Sequence, residues 1–216
     1  MSEIQQLNIN KQKLFIVFEG IDGAGSSTQA QMLHNYFTQI SQKSVISPEP
    51  SSGKIGQLLR QYLAGENCFT NQDLFDQQMA YLFAADRHYH LYNNLDGVYK
   101  LIAENIHVIS TRYYFSSLAY NGKTTQDYDF VKTLNQKFPL PDLVIYLDLP
   151  VDLALKRMCD RPSKEIYETK DKLTKVQQRF NEIFSDYQGT MLKIDASQNQ
   201  ETIHQQITNF INENIT

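Results

Sequence analysis

Five short apolar runs punctuate the chain, at residues 14–18 (LFIVF), 45–46 (VI), 107–110 (HVIS), 143–149 (LVIYLDL) and 191–195 (MLKID). Runs of this length and character are candidate parallel strands, buried on both faces. Longer stretches with helical spacing lie between them, at 27–40, 71–92, 128–138, 151–158, 171–184 and 201–215. In the first of these, Met32, Leu33, Tyr36, Phe37 and Ile40 share one side, as packing against a sheet requires. Pro139 and Pro141 stop the preceding helix before the fourth strand. Alternating strands and helices predict an α/β three-layer domain spanning 1–216. No repeat, sustained heptad or Pro/Gly/Ser-rich linker divides it, and the Gln/Asn-rich end reads as an exposed helix face.

Composition narrows the function classes. The 216 residues suffice for one substantial core. Twenty Lys+Arg against 24 Asp+Glu give −4, which argues against a general nucleic-acid surface and requires any anionic ligand to be gripped locally. Cys68 and Cys159 lie far apart without metal-type pairing, so a reducing cytoplasm is expected, with neither disulfide nor zinc framework. The start, MSEIQQLNIN, has neither the basic end nor the apolar stretch of a secretory signal. No apolar run approaches the ~20 residues that cross a bilayer, so no membrane role is expected.

The segment after the first strand carries chemistry. Gly20-Ile21-Asp22-Gly23-Ala24-Gly25-Ser26-Ser27 has the spacing of a Walker A loop, with Ser26 at the lysine position. Its glycines let backbone N–H groups turn inward on phosphates, and the following helix adds its positive end. Ser27 is placed to put a hydroxyl on Mg²⁺, while Thr28 can donate to a phosphate or cap the helix. What is missing is a mobile cation near a transferred phosphoryl group.

Four segments in order, FEGIDGAGSSTQ (18–29), LFAADRHYH (82–90), RYYFSSLAYNG (112–122) and PDLVIYLDLP (141–150), resemble the thymidylate kinase family of P-loop nucleoside monophosphate kinases. With weaker matches at Glu49-Pro50 and at 156–168, the resemblance spans nearly the whole chain. It implies a three-layer P-loop fold with a five-stranded parallel sheet, a short LID at about 157–168, an ATP·Mg²⁺ site at the loop, a dTMP pocket beside it, and a homodimer. The implied reaction is transfer of the ATP γ-phosphoryl group to dTMP. Asp22 matches the loop carboxylate that approaches the acceptor's sugar and phosphate, and it is expected to share Mg²⁺ with Ser27. Phe83 matches the aromatic that stacks on thymine, and Arg87 the arginine that reads a base edge. Four residues apart on one helix face, the two can grip a single ring, with Asp86 placed to orient Arg87. Arg112 keeps the cation expected on the monophosphate. Ser116, Ser117, Tyr120 and Asn121 match the base-and-sugar reading segment, with Tyr120 set against a 2′-hydroxyl. Glu49 matches the loop after the second strand, although Pro48 replaces the usual arginine.

The LID stretch holds Arg157, Arg161 and Lys164, with Arg161 the first choice as the catalytic arginine and Arg157 behind it. Gly23 stands where one subgroup of the family has that arginine in the loop. Tyr167 and Glu168 resemble LID-end residues that reach the acceptor. Thr111 replaces the family's aspartate, so a cation at 26 and an anion at 111 are absent together. That double change fits a compensated enzyme, and it fits a nucleotide-binding protein that has lost turnover. A third alternative keeps the enzyme and changes the acceptor nucleotide. The five histidines show no metal-ligand spacing, so no metal beyond Mg²⁺ is indicated.

Overall fold

The computed structural model describes residues 13–66, 69–159 and 169–214. Strands β1 (Phe15–Glu19), β2 (Ser44–Ile46), β3 (His107–Thr111), β4 (Leu143–Asp148) and β5 (Met191–Asp195) form one sheet in the order β2-β3-β1-β4-β5. Every pairing is parallel. The predicted five-stranded parallel sheet is therefore present, and each predicted apolar run is a strand to within a residue. All of β1 is buried, as is β4 except Asp148, because apolar residues on both faces need cover on both.

That cover comes from α1 (Ser26–Gln39), α2 (Lys54–Leu63), α3 (Gln72–Tyr92), α4 (Val98–Ala103), α5 (Tyr114–Asn121), α6 (Thr125–Asn135), α7 (Val151–Met158), α8 (Lys170–Ser185) and α9 (Gln200–Asn214). Several start on side-chain caps written in the sequence. Asn71 accepts from the Asp73 and Leu74 amides, Thr124 and Asp127 close a reciprocal box, and Thr169 accepts from the Lys172 amide. The buried stripe of α1 is Gln29, Ala30, Leu33 and Phe37, rotated from the one expected. Ile40 sits at the C-cap and is exposed, because the helix has ended before its side chain could reach the sheet.

β1 lies at the centre with β3 on one side and β4 on the other, so the chain leaves it in both directions across the sheet. Such a switch point opens a crevice at the C-terminal strand ends, and the β1–α1 loop is there. The connection after β2 is drawn to the same end by two backbone bonds, Ser47 N–H to the Ile109 carbonyl (2.8 Å) and Glu49 N–H to the Thr111 carbonyl (3.1 Å). Among the described residues no helix is long and apolar enough to cross a membrane.

Candidate active site

Gly20 opens the phosphate loop at φ +152°, and a Cβ there would come within 2.7 Å of the Leu147 carbonyl oxygen on β4. Only glycine lets the loop leave β1 this close to its neighbour. At the far end the N-cap of α1 is Gly25, in the left-handed conformation, with no side-chain cap and no acidic residue in the first turn. The positive end of α1 is therefore offered to an anion rather than satisfied internally. Ser27 and Thr28 are exposed on that first turn, and Ser26 is half-buried. Arg157, from α7, donates to the Ala196 carbonyl (2.9 Å) and lies 3.5 Å from the Gly23 carbonyl, so one described LID cation stands at the rim of the loop. Arg161, Lys164, Tyr167 and Glu168 lie outside the described residues.

Beside the loop is a cleft lined by Asp22, Glu49, Pro50, Leu63, Phe83, Arg87, Arg112, Tyr113, Ser116, Ser117, Tyr120 and Asn121. Every described residue expected to bind the acceptor is in it. At the loop end, Arg112 donates to the Gly20 carbonyl (3.2 Å), to Ser116 Oγ (3.0 Å) and to Asp22 Oδ1, and its guanidinium lies 5.2 Å from the Tyr120 ring centroid. The Tyr120 hydroxyl donates to the other Asp22 oxygen at 2.7 Å. Both Asp22 oxygens are thus engaged on the acceptor side, and each keeps a lone pair, so Asp22 and Ser27 both remain the expected Mg²⁺ residues.

At the other end, Arg87 is buried on α3. Its Nε donates to Glu49 Oε2 (2.9 Å), Nη2 lies 2.7 Å from the same oxygen and 3.1 Å from Ser117 Oγ, and Nη1 donates to Asn135. His90 bridges Glu49 Oε1 (3.2 Å) and Ser47 Oγ (2.7 Å). Phe83, one turn before Arg87, is half-buried and reaches the cleft. Asp86 does not orient Arg87 as expected. One helical step turns it toward the 50–53 loop, where both its oxygens accept from Ser51, amide and hydroxyl, at 2.6 Å.

Residues 18–207 match the family model described as thymidylate kinase. A relative from Methanococcus aeolicus, described as a probable thymidylate kinase, is 40% identical over 198 residues, 89% of this chain and 93% of its own. Another so described, from Thermococcus kodakarensis, is 36% identical over 204 residues, covering 90% of this chain and 95% of its own. The chain belongs to the thymidylate kinase family. The solved structure of the thymidylate kinase from Candida albicans aligns with a TM-score of 0.73 at 25% identity, covering 94% of this chain and 92% of that one. As a member of the family, the protein is an ATP-dependent phosphotransferase.

One residue behind this kinase's cleft has a role that motif reading does not assign. Glu19, wholly buried at the end of β1, accepts from the Tyr113 amide (2.8 Å), the Ser116 amide (3.2 Å) and the Ser116 hydroxyl (2.6 Å). It caps α5 from across the sheet, since α5 has no side-chain cap of its own. Burial pushes its carboxyl from 4.5 up to about 7, against the opposing pull of Ser116, Arg112 and the Tyr113 amide. The folded state therefore holds this proton more tightly than the unfolded chain. Its stabilising share is complete below about 4.5 and is lost as pH rises through about 7. At 1.36 kcal/mol per unit the loss is about 3 kcal/mol. Glu19→Gln keeps an acceptor for the two amides and cannot ionise, so its Tm should lack this decline. Calorimetric scans of both proteins across that window check it, and parallel curves would show that Glu19 does not titrate there.

Proposed function

We propose that the chain acts as a single-domain dTMP kinase, transferring the ATP γ-phosphoryl group to dTMP to give dTDP and ADP. The observation that carries the assignment of roles is Arg112. Its guanidinium spans the phosphate loop, through the Gly20 carbonyl, and the acceptor cleft, through Asp22 and Ser116. An acceptor phosphate held there lies at the edge of the donor site, and holding two reactants at that separation supplies much of the rate enhancement. The acceptor phosphate oxygen attacks, the bond from the γ-phosphorus to the bridging oxygen breaks, and ADP leaves with that oxygen. No covalent enzyme intermediate is needed.

Phe83 provides a face for the thymine ring, and Arg87, fixed by Glu49, Asn135 and Ser117, presents a rigid edge to it. Tyr120, pinned to Asp22, fills the space beside the sugar and favours deoxyribose. The amides of residues 20–28 cradle the donor phosphates. Ser27 would hold Mg²⁺, which would neutralise charge on the donor phosphates. In place of a lysine at 26, Arg157 and Arg161 complete the positive surroundings of the transferred group. Apolar residues left exposed on α3, Leu74, Tyr81, Tyr89 and Tyr92, support a homodimer. The net charge of −4 supports a free nucleotide partner rather than nucleic acid, and a cytoplasmic setting suits dTMP supply.

ADP release measured with dTMP, dUMP, dCMP, dGMP and AMP tests the reading. Turnover is expected to be fastest with dTMP, and a folded protein inactive on every acceptor would reject it. Ser26 and Thr111 favour one second reading, binding without turnover. Calorimetric dTMP binding with no ADP release would select it.

A further inference from the structure

α5 brings Ser116, Ser117, Tyr120 and Asn121 to the cleft, and groups from distant parts of the chain hold both of its ends. Glu19 takes the N-terminal amides. At the other end α8 supplies two cations. Arg179 donates to the Ala119 carbonyl (3.0 Å) and the Lys123 carbonyl (3.1 Å), and Lys172 Nζ donates to the Tyr120 carbonyl. Positive groups at the carbonyl end of a helix are favourable, so charge and geometry agree. Tyr120 is thereby fixed twice, by its carbonyl to Lys172 and by its hydroxyl to Asp22. Asp22 in turn holds Arg112. An unbroken line of bonds joins α8 to the arginine of the phosphate end of the cleft.

We propose that Lys172 is a positioning residue for the acceptor nucleotide, setting Tyr120 and, through Asp22, Arg112, without itself touching the ligand. The inference rests on the acceptor reading of the cleft given above. Lys172 faces Asp76 of α3, Lys123 beyond the end of α5, and Arg179 and Lys175 of its own helix. Burial is the main cause that lowers its pKa from 10.5 to about 8; Asp76 opposes the shift, and the three cations add to it. The ammonium is therefore present below about 8 and is lost above it. Acceptor binding should weaken as pH rises through that value, because a neutral amine is a poorer donor at a helix carbonyl end.

The experiment is calorimetric titration of dTMP, and separately of ATP, into the wild type, Lys172→Met and Lys172→Arg on both sides of pH 8. Lys172→Met is expected to weaken dTMP about tenfold at neutral pH while ATP changes less than about twofold. Lys172→Arg should restore dTMP affinity and remove the step near pH 8, since a guanidinium stays charged throughout. The inference fails if Lys172→Met binds dTMP like the wild type, if it weakens both nucleotides alike, or if the step persists in Lys172→Arg. Should Lys172→Met not fold, the pH profile of Lys172→Arg decides alone. A wild type that binds no dTMP at all would overturn the acceptor reading itself, an outcome distinct from normal binding by the variants.

Discussion

Arg112→Gln is expected to lower kcat/KM for dTMP by about a thousandfold while leaving ATP affinity close to wild type, as steady-state kinetics and calorimetry would show. Loss of one well-placed electrostatic donor costs on the order of 10²–10³ in rate, and two features put this case at the upper end. The phosphate loop has no lysine, so fewer cations share the developing charge. Arg112 is also built in at a cost, with φ +76° at a residue that is not glycine. A backbone of this kind carries about 1–3 kcal/mol of strain and persists only where its surroundings fix it. They do here: its amide donates to the Phe18 carbonyl (2.8 Å) and its carbonyl accepts from Ser110 Oγ (2.9 Å). Glutamine keeps that backbone but can neither pair with Asp22 nor reach Gly20 and Ser116 together. A loss smaller than about tenfold would place the phosphate grip elsewhere.

Gly56→Ala is expected to lower stability by about 3 kcal/mol and to weaken dTMP binding as a consequence. Helix propensity alone points the other way, since alanine inside a helix gains about 1 kcal/mol over glycine. Packing reverses the sign. A Cβ on Gly56 would stand 2.0 Å from the Ser51 carbonyl oxygen and 2.8 Å from the Ser51 backbone C and N. Nothing flexible can yield, because Ser51 is tied to Asp86 twice and its carbonyl accepts from Arg60 Nη1 at 2.7 Å. Overpacking a tight contact typically costs 1–3 kcal/mol, and a backbone collision takes the top of that range. For a chain of this size about 3 kcal/mol lowers Tm by roughly 6–12 °C. Because residues 49–50 line the cleft, α2 can relieve the clash only by displacing its wall. An unchanged Tm would mean that α2 slides freely on this loop.

Much of this was legible from residues alone. The strands were, most clearly β1 and β4, whose apolar runs are buried on both faces up to their last residue. The lining of the cleft was, because Arg87, Arg112, Ser116, Ser117, Tyr120 and Asn121 sit in motifs that follow the family's order. What escaped did so for several physical reasons. Seven of the eight residues of α5 are buried, Phe115 through Asn121, so the helix has no polar face and shows no period. α4 is six residues long, too short for a period to register. Glu19 reads as the tail of an apolar strand, and its role exists only through partners 94 and 97 residues away. Lys172 reads as one more solvated cation on a polar helix until the fold lays it over Tyr120.

The pairing of the cleft arginines also sets how a nucleotide arrives. Arg112 is matched by Asp22 and Arg87 by Glu49, in a chain of net charge −4. An approaching dianion therefore meets no long-range attractive funnel of the kind that accelerates encounter in strongly charged sites. Capture should proceed at an unsteered diffusional rate that added salt does not slow. Discrimination between one monophosphate and another then resides in how long each stays once bound.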